Sequence, residues 1–143
     1  MAYNRFFSRQ TKSLATQKVI LDRKYPECRS TIRNGILRWD GVIKPTPISR
    51  NYTIKIIYKV KKRPKVILYG CNIEGIENEN FPHHFKIDKD KNEVELCLHM
   101  AYEFDCNDSL ANTIISWTQE WLLHYEIWLA TGEWRGGGHK FIS

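Results

Sequence analysis

Four cysteines and five histidines carry most of the nucleophilic and ligating chemistry in this chain. Cys97 is the cysteine set among partners: His99 follows two residues later and the His83-His84 pair precedes it. A thiol near an imidazole has the ingredients of an activated nucleophile, with sulfur to attack an acyl carbon and imidazole to lower the thiol pKa or move its proton. Spacing alone does not make one, because a lone cysteine near a histidine is more often an inert small residue. Two steps along a strand cover about 6.6 Å, so Cys97 and His99 share a face but need a bend or a water to meet. His83 could approach from a loop instead, and both partners stay open. A competing chemistry is zinc, held by Cys97, His99, Cys106 and one of His83 or His84. The spacing Cys-x-His-x6-Cys lacks the tight paired knuckle of structural zinc ligands, so no metal is expected. Cys28 and Cys71 read as ordinary buried or loop thiols. Gly136-Gly137-Gly138 lacks the Lys-Ser/Thr of a phosphate-cradling loop and reads as a post-helix tail. There is no catalytic carboxylate pair, Ser-centred elbow or dinucleotide fingerprint, and no cofactor is expected.

The elements that must position Cys97 follow from periodicity. Val94, Leu96 and Leu98 alternate with Glu95, Cys97 and His99, so an extended chain sends Cys97 to the polar face and out of the core. Upstream, Leu14, Val19 and Leu21 give a modest helical signal over residues 11–24, ended by Pro26. Ile36 to Ile43 reads as a strand that stops at Pro45-Thr46-Pro47. Tyr52, Ile54 and Ile56 and then Val66 to Tyr69 read as a hairpin whose tip is Lys61 to Pro64, while residues 71–93 are polar and irregular. Leu110, Ile114, Trp117, Trp121, Tyr125 and Trp128 recur at steps of three and four, capped by Asn107 or Asp108 and stopped at Gly132. The order predicts an α+β fold: an N-terminal helix, antiparallel strands, an irregular stretch with a cysteine, and a Trp-rich C-terminal helix packed on the sheet.

A chain of 143 residues is long enough to bury its own core and reads as one domain over residues 1–143, with 1–10 and 135–143 as flexible ends. The net charge of +6 suits an anionic partner. The knot Lys59, Lys61, Lys62, Arg63 and Lys65 reads as a solvated hairpin tip, with nucleic acid the lesser option. No apolar run approaches bilayer length, so no membrane is expected. Widely spaced cysteines without a secretory pattern predict reduced thiols in the cytoplasm. The acid-free first twenty residues also describe a mitochondrial transit peptide, but no composition break separates them from the first element.

Taken together, Leu96-Cys97-Leu98-His99, Thr113-Ile114-Ile115-x-Trp117-x-x-Glu120-Trp121-Leu122-x-x-Tyr125-Glu126-x-Trp128 and Thr131-Gly132-x-Trp134-x-Gly136-Gly137-Gly138-x-Lys140 form a pattern. With Trp39-x-Gly41-x-Ile43-x-Pro45-Thr46, Tyr52-x-Ile54 and Pro64-x-Val66, it resembles the bacterial ubiquitin-conjugating-enzyme-like proteins of short type II CBASS antiphage operons, from about residue 14 to the end. The resemblance implies the ubiquitin-conjugating-enzyme-like fold, an N-terminal helix, an antiparallel meander of about four strands, a catalytic loop and a C-terminal Trp-rich helix, with Cys97 as the thioester-forming residue. It implies as partner a cGAS-like nucleotidyltransferase, whose C-terminus is taken up by the cysteine as an acyl group, priming second-messenger synthesis. Eukaryotic conjugating enzymes carry His-Pro-Asn upstream of their cysteine, where the Asn amide steadies the oxyanion. Here the comparable stretch is Pro82-His83-His84-Phe85, so that role falls to His83, to His99 or to backbone amides. The alternative is a catalytically inactive module of the same fold that clasps the nucleotidyltransferase or nucleic acid. The oligomeric state, a homodimer included, is not specified.

Overall fold

The structure, a computed structural model, describes residues 11–70, 72–98 and 104–136. The Ser13 hydroxyl takes the Thr16 N–H and opens helix α1 (Leu14–Lys24), which ends at Tyr25, just before Pro26. Leu21 is sealed in the core, but Val19, expected on the same apolar face, is 48% exposed. The second inward residue is Gln17, whose amide donates to the Asp108 carbonyl at 2.8 Å and accepts the Leu110 N–H at 2.9 Å. A buried glutamine satisfied at both ends is compatible with a core, and it ties α1 to the chain after Cys97.

Among the described residues six strands form one antiparallel sheet: β1 (Arg29–Arg33), β2 (Ile36–Ile43), β3 (Tyr52–Tyr58), β4 (Lys65–Tyr69), β5 (His84–Asp88) and β6 (Glu93–Leu96), in the order β1-β2-β3-β4-β6-β5. The four expected strands are present, and β1 and β5 add to them. β1 exists because Asn34 (φ 53°) and Gly35 (φ 73°) make a two-residue turn with both central residues left-handed, the turn that matches strand twist. β5 falls within the stretch read as irregular, and a register shift between His84 and Ile87 hides its alternation. One face of the sheet is core, with Leu37, Trp39, Ile54, Ile56, Tyr58, Val66, Leu68, Val94 and Leu96 all buried.

Gly41 shows how tightly that face is filled. A Cβ there would collide with the Trp39 indole and sit 2.8 Å from the Cys28 sulfur. Gly41→Ala is therefore expected to cost about 1–3 kcal/mol, read as a lower urea midpoint with unchanged slope.

Helix α2 (Ile114–Thr131) stops at Gly132, whose φ of 79° is the left-handed conformation predicted for it. Its start differs from the expectation. Asn107 and Asp108 do not cap it: the Asp108 carboxylate takes the Asp105 N–H, the Asp105 carboxylate takes the Asn107 N–H, and Thr113 precedes the first helical residue. The acidic side chains are spent on their own turn, one of the local bonds that compete with a helix cap. Trp121, Tyr125 and Trp128 are buried and Trp117 partly so. The Tyr52 ring meets Tyr125 edge-on at 6.1 Å, and Glu126 accepts from the Tyr52 and Ser49 hydroxyls at 2.8 Å each, pinning α2 to the sheet. Residues 1–10 and 137–143, expected to be flexible, lie outside the described residues, as do Cys71 and His99.

Candidate functional site

Cys97 is the first residue after β6, and its N–H donates to the His83 carbonyl at 3.0 Å. That carbonyl also accepts the Trp121 indole N–H at 3.1 Å, so one main-chain oxygen joins the cysteine, the loop and α2. The His83 ring lies against Trp134 at 5.0 Å, and Trp134 touches Trp121 at 5.5 Å and His124 at 5.9 Å. Residues 72–83 are irregular yet held by α2: Tyr125 donates to the Glu74 carbonyl at 2.6 Å, and Phe81 packs on Trp121, Tyr125 and Trp128. Gly75 (φ 80°) presses on the Trp128 ring, where a Cβ would come within 2.8 Å. The aromatic stripe thus positions the loop histidine beside the cysteine.

The expected outward placement of Cys97 is not what the structure has. Cys97 is 2% exposed and Leu98 1%. Alternation requires a strand, and β6 ends at Leu96, so the next two residues both turn inward. Burial pushes the Cys97 thiol up to about 11; the Arg63 charge opposes the rise and Glu95 adds to it. The resting thiol is protonated at neutral pH and is not an activated nucleophile.

Of the histidines expected to assist, His83 is brought to Cys97 through its main chain. His84, expected only as an alternative zinc ligand, has its Nδ1 at 3.1 Å from the Phe81 carbonyl and its ring edge-on to Phe81. His99 lies outside the described residues. The described members of the zinc set are not gathered: Cys106 pairs with the Thr11 hydroxyl at 3.2 Å, and among the described residues no three His, Cys, Asp or Glu side chains converge as a metal would need. Two contributors were missed. Arg63, read as part of a solvated tip, stands over the Phe85 ring and pairs with Glu95, with no signal in its own stretch to show it. The Trp121 N–H was hidden because a helical stripe reports burial, not what an indole nitrogen reaches.

Within this α+β fold a buried cysteine at the end of the sheet is tied to a loop that an aromatic helix holds. The chain belongs to the family described as type II CBASS E2 protein, which it matches over residues 17–141 of its 143. Membership gives it a role in type II CBASS antiviral defence, among the components of that system. No curated protein matches the chain. Among the described residues no helix is long and apolar enough to cross a membrane.

Proposed function

We propose that this chain is a ubiquitin-conjugating-enzyme-like acyl carrier, a single domain of that fold, with Cys97 as the residue that forms the thioester. The observation that supports this most is the family match, which runs through Cys97 and both aromatic motifs. The partner is the cGAS-like nucleotidyltransferase, and the step is thioester exchange. Its C-terminal acyl group arrives as a thioester on a donor thiol, the Cys97 sulfur attacks the carbonyl carbon, and a new C–S bond replaces the old one. The donor leaves as a thiolate and takes up the proton that Cys97 gives up. His83 or His99 handles that proton or steadies the oxyanion. Because the resting sulfur is buried, docking of the tail uncovers it, which protects the thiol between turnovers and primes synthesis only with the partner in place.

A second reading, a non-catalytic module that clasps the nucleotidyltransferase, is favoured by the burial of Cys97 and the raised thiol pKa. Mass spectrometry of the chain incubated with the nucleotidyltransferase and its activated donor separates the two. Thioester exchange predicts a thiol-labile adduct that Cys97→Ala abolishes, together with phage protection. No thiol-labile adduct, with phage protection kept unchanged in Cys97→Ala and Cys97→Ser, leaves the second reading standing; either this or an adduct that persists in both variants removes the first.

A further inference from the structure

Arg63 stands at the β3–β4 tip, within the basic run from Lys59 to Lys65, but it is not simply solvated. Its guanidinium lies 4.1 Å from the Phe85 ring centroid, and one of its nitrogens is 3.4 Å from a Glu95 oxygen. The Arg63 side chain is 33% exposed and that of Glu95 15%. Glu95 lies two residues before Cys97, and the charges of the pair reach the sulfur with opposite effect. Beside the pair lies a groove of about 190 Å³ lined by Lys65 and Ile67 of β4, Lys86 and Asp88 of β5, and Glu93 and Glu95 of β6.

We propose that Arg63 is a specificity residue of this site: it takes an acidic side chain of the partner's tail in exchange for Glu95 and so leaves the end of that tail beside Cys97. The inference rests on the thioester reading above. A guanidinium stacked on an aromatic face keeps its in-plane donors for a carboxylate. Its contact with Glu95 is a single long one at 3.4 Å, whereas a close charge-assisted pair sits at about 2.8 Å, so a better-placed carboxylate can displace it. Lys65 and Lys86, in the same groove, are there to receive the charge of Glu95 once it is released. A single acidic side chain fits better than nucleic acid, because the groove sets Lys65, Lys86 and Lys91 against Asp88, Glu93 and Glu95 and so offers no continuous positive track for a run of phosphates, whereas one carboxylate needs only the Arg63 guanidinium.

The full chain is treated with a mixture of anionic iodoacetate and neutral iodoacetamide, and the ratio of the two products at Cys97 is read by peptide mass. Any opening that uncovers the sulfur serves both reagents and cancels in the ratio. Arg63→Gln is expected to lower the iodoacetate share about threefold, and Glu95→Gln to raise it by about the same factor, as for unit charges a few ångströms apart in water. A ratio unchanged in both variants overturns the proposal. In the adduct reaction, Arg63→Gln is expected to slow formation. Changing the acidic residues among the last ten of the nucleotidyltransferase to amides should slow it equally, and the two changes together should be no worse than either alone. A tail without an acidic residue, or effects that multiply, overturns it. Arg63-dependent retention of a single-stranded DNA 20-mer with an unchanged alkylation ratio overturns it in favour of nucleic acid. An adduct without a charge effect overturns the assignment of Arg63 alone; a charge effect without any adduct overturns the thioester reading and with it the role of the tail.

Discussion

Iodoacetamide at pH 7.5 is expected to modify Cys28 and Cys106, both half-buried, at least about tenfold faster than Cys97. Only the thiolate reacts, and a thiol pushed up to about 11 holds almost none of it at neutral pH. The Cys97 rate should therefore climb about tenfold per pH unit and keep climbing towards pH 11. The same shift has a consequence for stability. The folded state holds the proton up to about 11, while the unfolded thiol releases it from its ordinary value of 9.0 upward. The contribution of the neutral, buried thiol is thus fully present below pH 9 and falls as pH rises through the folded value, so the stability gap between wild type and Cys97→Ala should narrow across that window. Urea midpoints of the two proteins at pH 8 and pH 10 check this, and using the difference removes the lysine and tyrosine titrations both share. Labelling of Cys97 ahead of the other two, with a rate that levels off below pH 8, contradicts a sealed thiol. Adding the nucleotidyltransferase should raise Cys97 labelling selectively if its tail uncovers the sulfur.

Where one element dominates its own stretch, the sequence was enough. The α2 stripe, the Gly132 stop, the Lys61 turn and the β3–β4 hairpin need only local periodicity and turn chemistry, and the structure has each of them. β1 is legible in Asn34-Gly35, a strong short-range hairpin signal, although the run before it, Arg29 to Arg33, has a single apolar residue and so no alternation to announce a strand. β5 was not legible, since its bulge breaks the alternation that announces a strand. Gln17 could not be read either; its polar type argues for the surface, and only the Asp108 and Leu110 main chains, both more than ninety positions away, make it a core residue. The same limit applies to Cys97. Its identity as the candidate nucleophile came from the pattern around it, but its exposure depended on where β6 ends, and strand ends are set by pairing with distant partners such as His84 opposite Leu96.

Trp121 tests whether the loop and the cysteine are held as one unit. It is 3% exposed, stacks on Tyr125 at 5.4 Å, and gives its indole N–H to the carbonyl that Cys97 also uses. Trp121→Ala removes a buried ring from the centre of the aromatic cluster and is expected to cost about 3–5 kcal/mol, read as a large fall in the urea midpoint. Trp121→Phe separates the two roles. Phenylalanine keeps most of the ring packing and lacks the donor, while the His83 carbonyl retains its bond from Cys97, so no buried acceptor is orphaned and the hydrogen-bond part of the loss stays near 1 kcal/mol. The larger effect should be local. With α2 no longer gripping that carbonyl, the Cys97 amide should exchange with solvent faster and the thiol alkylate faster, each by more than the change in global stability predicts, because the opening involved is that of the loop alone. Protection of the Cys97 amide and its alkylation rate both held at wild-type values in Trp121→Phe mean that packing by Phe81 and the neighbouring rings suffices to hold the loop, and that the indole donor has no part in keeping the sulfur covered.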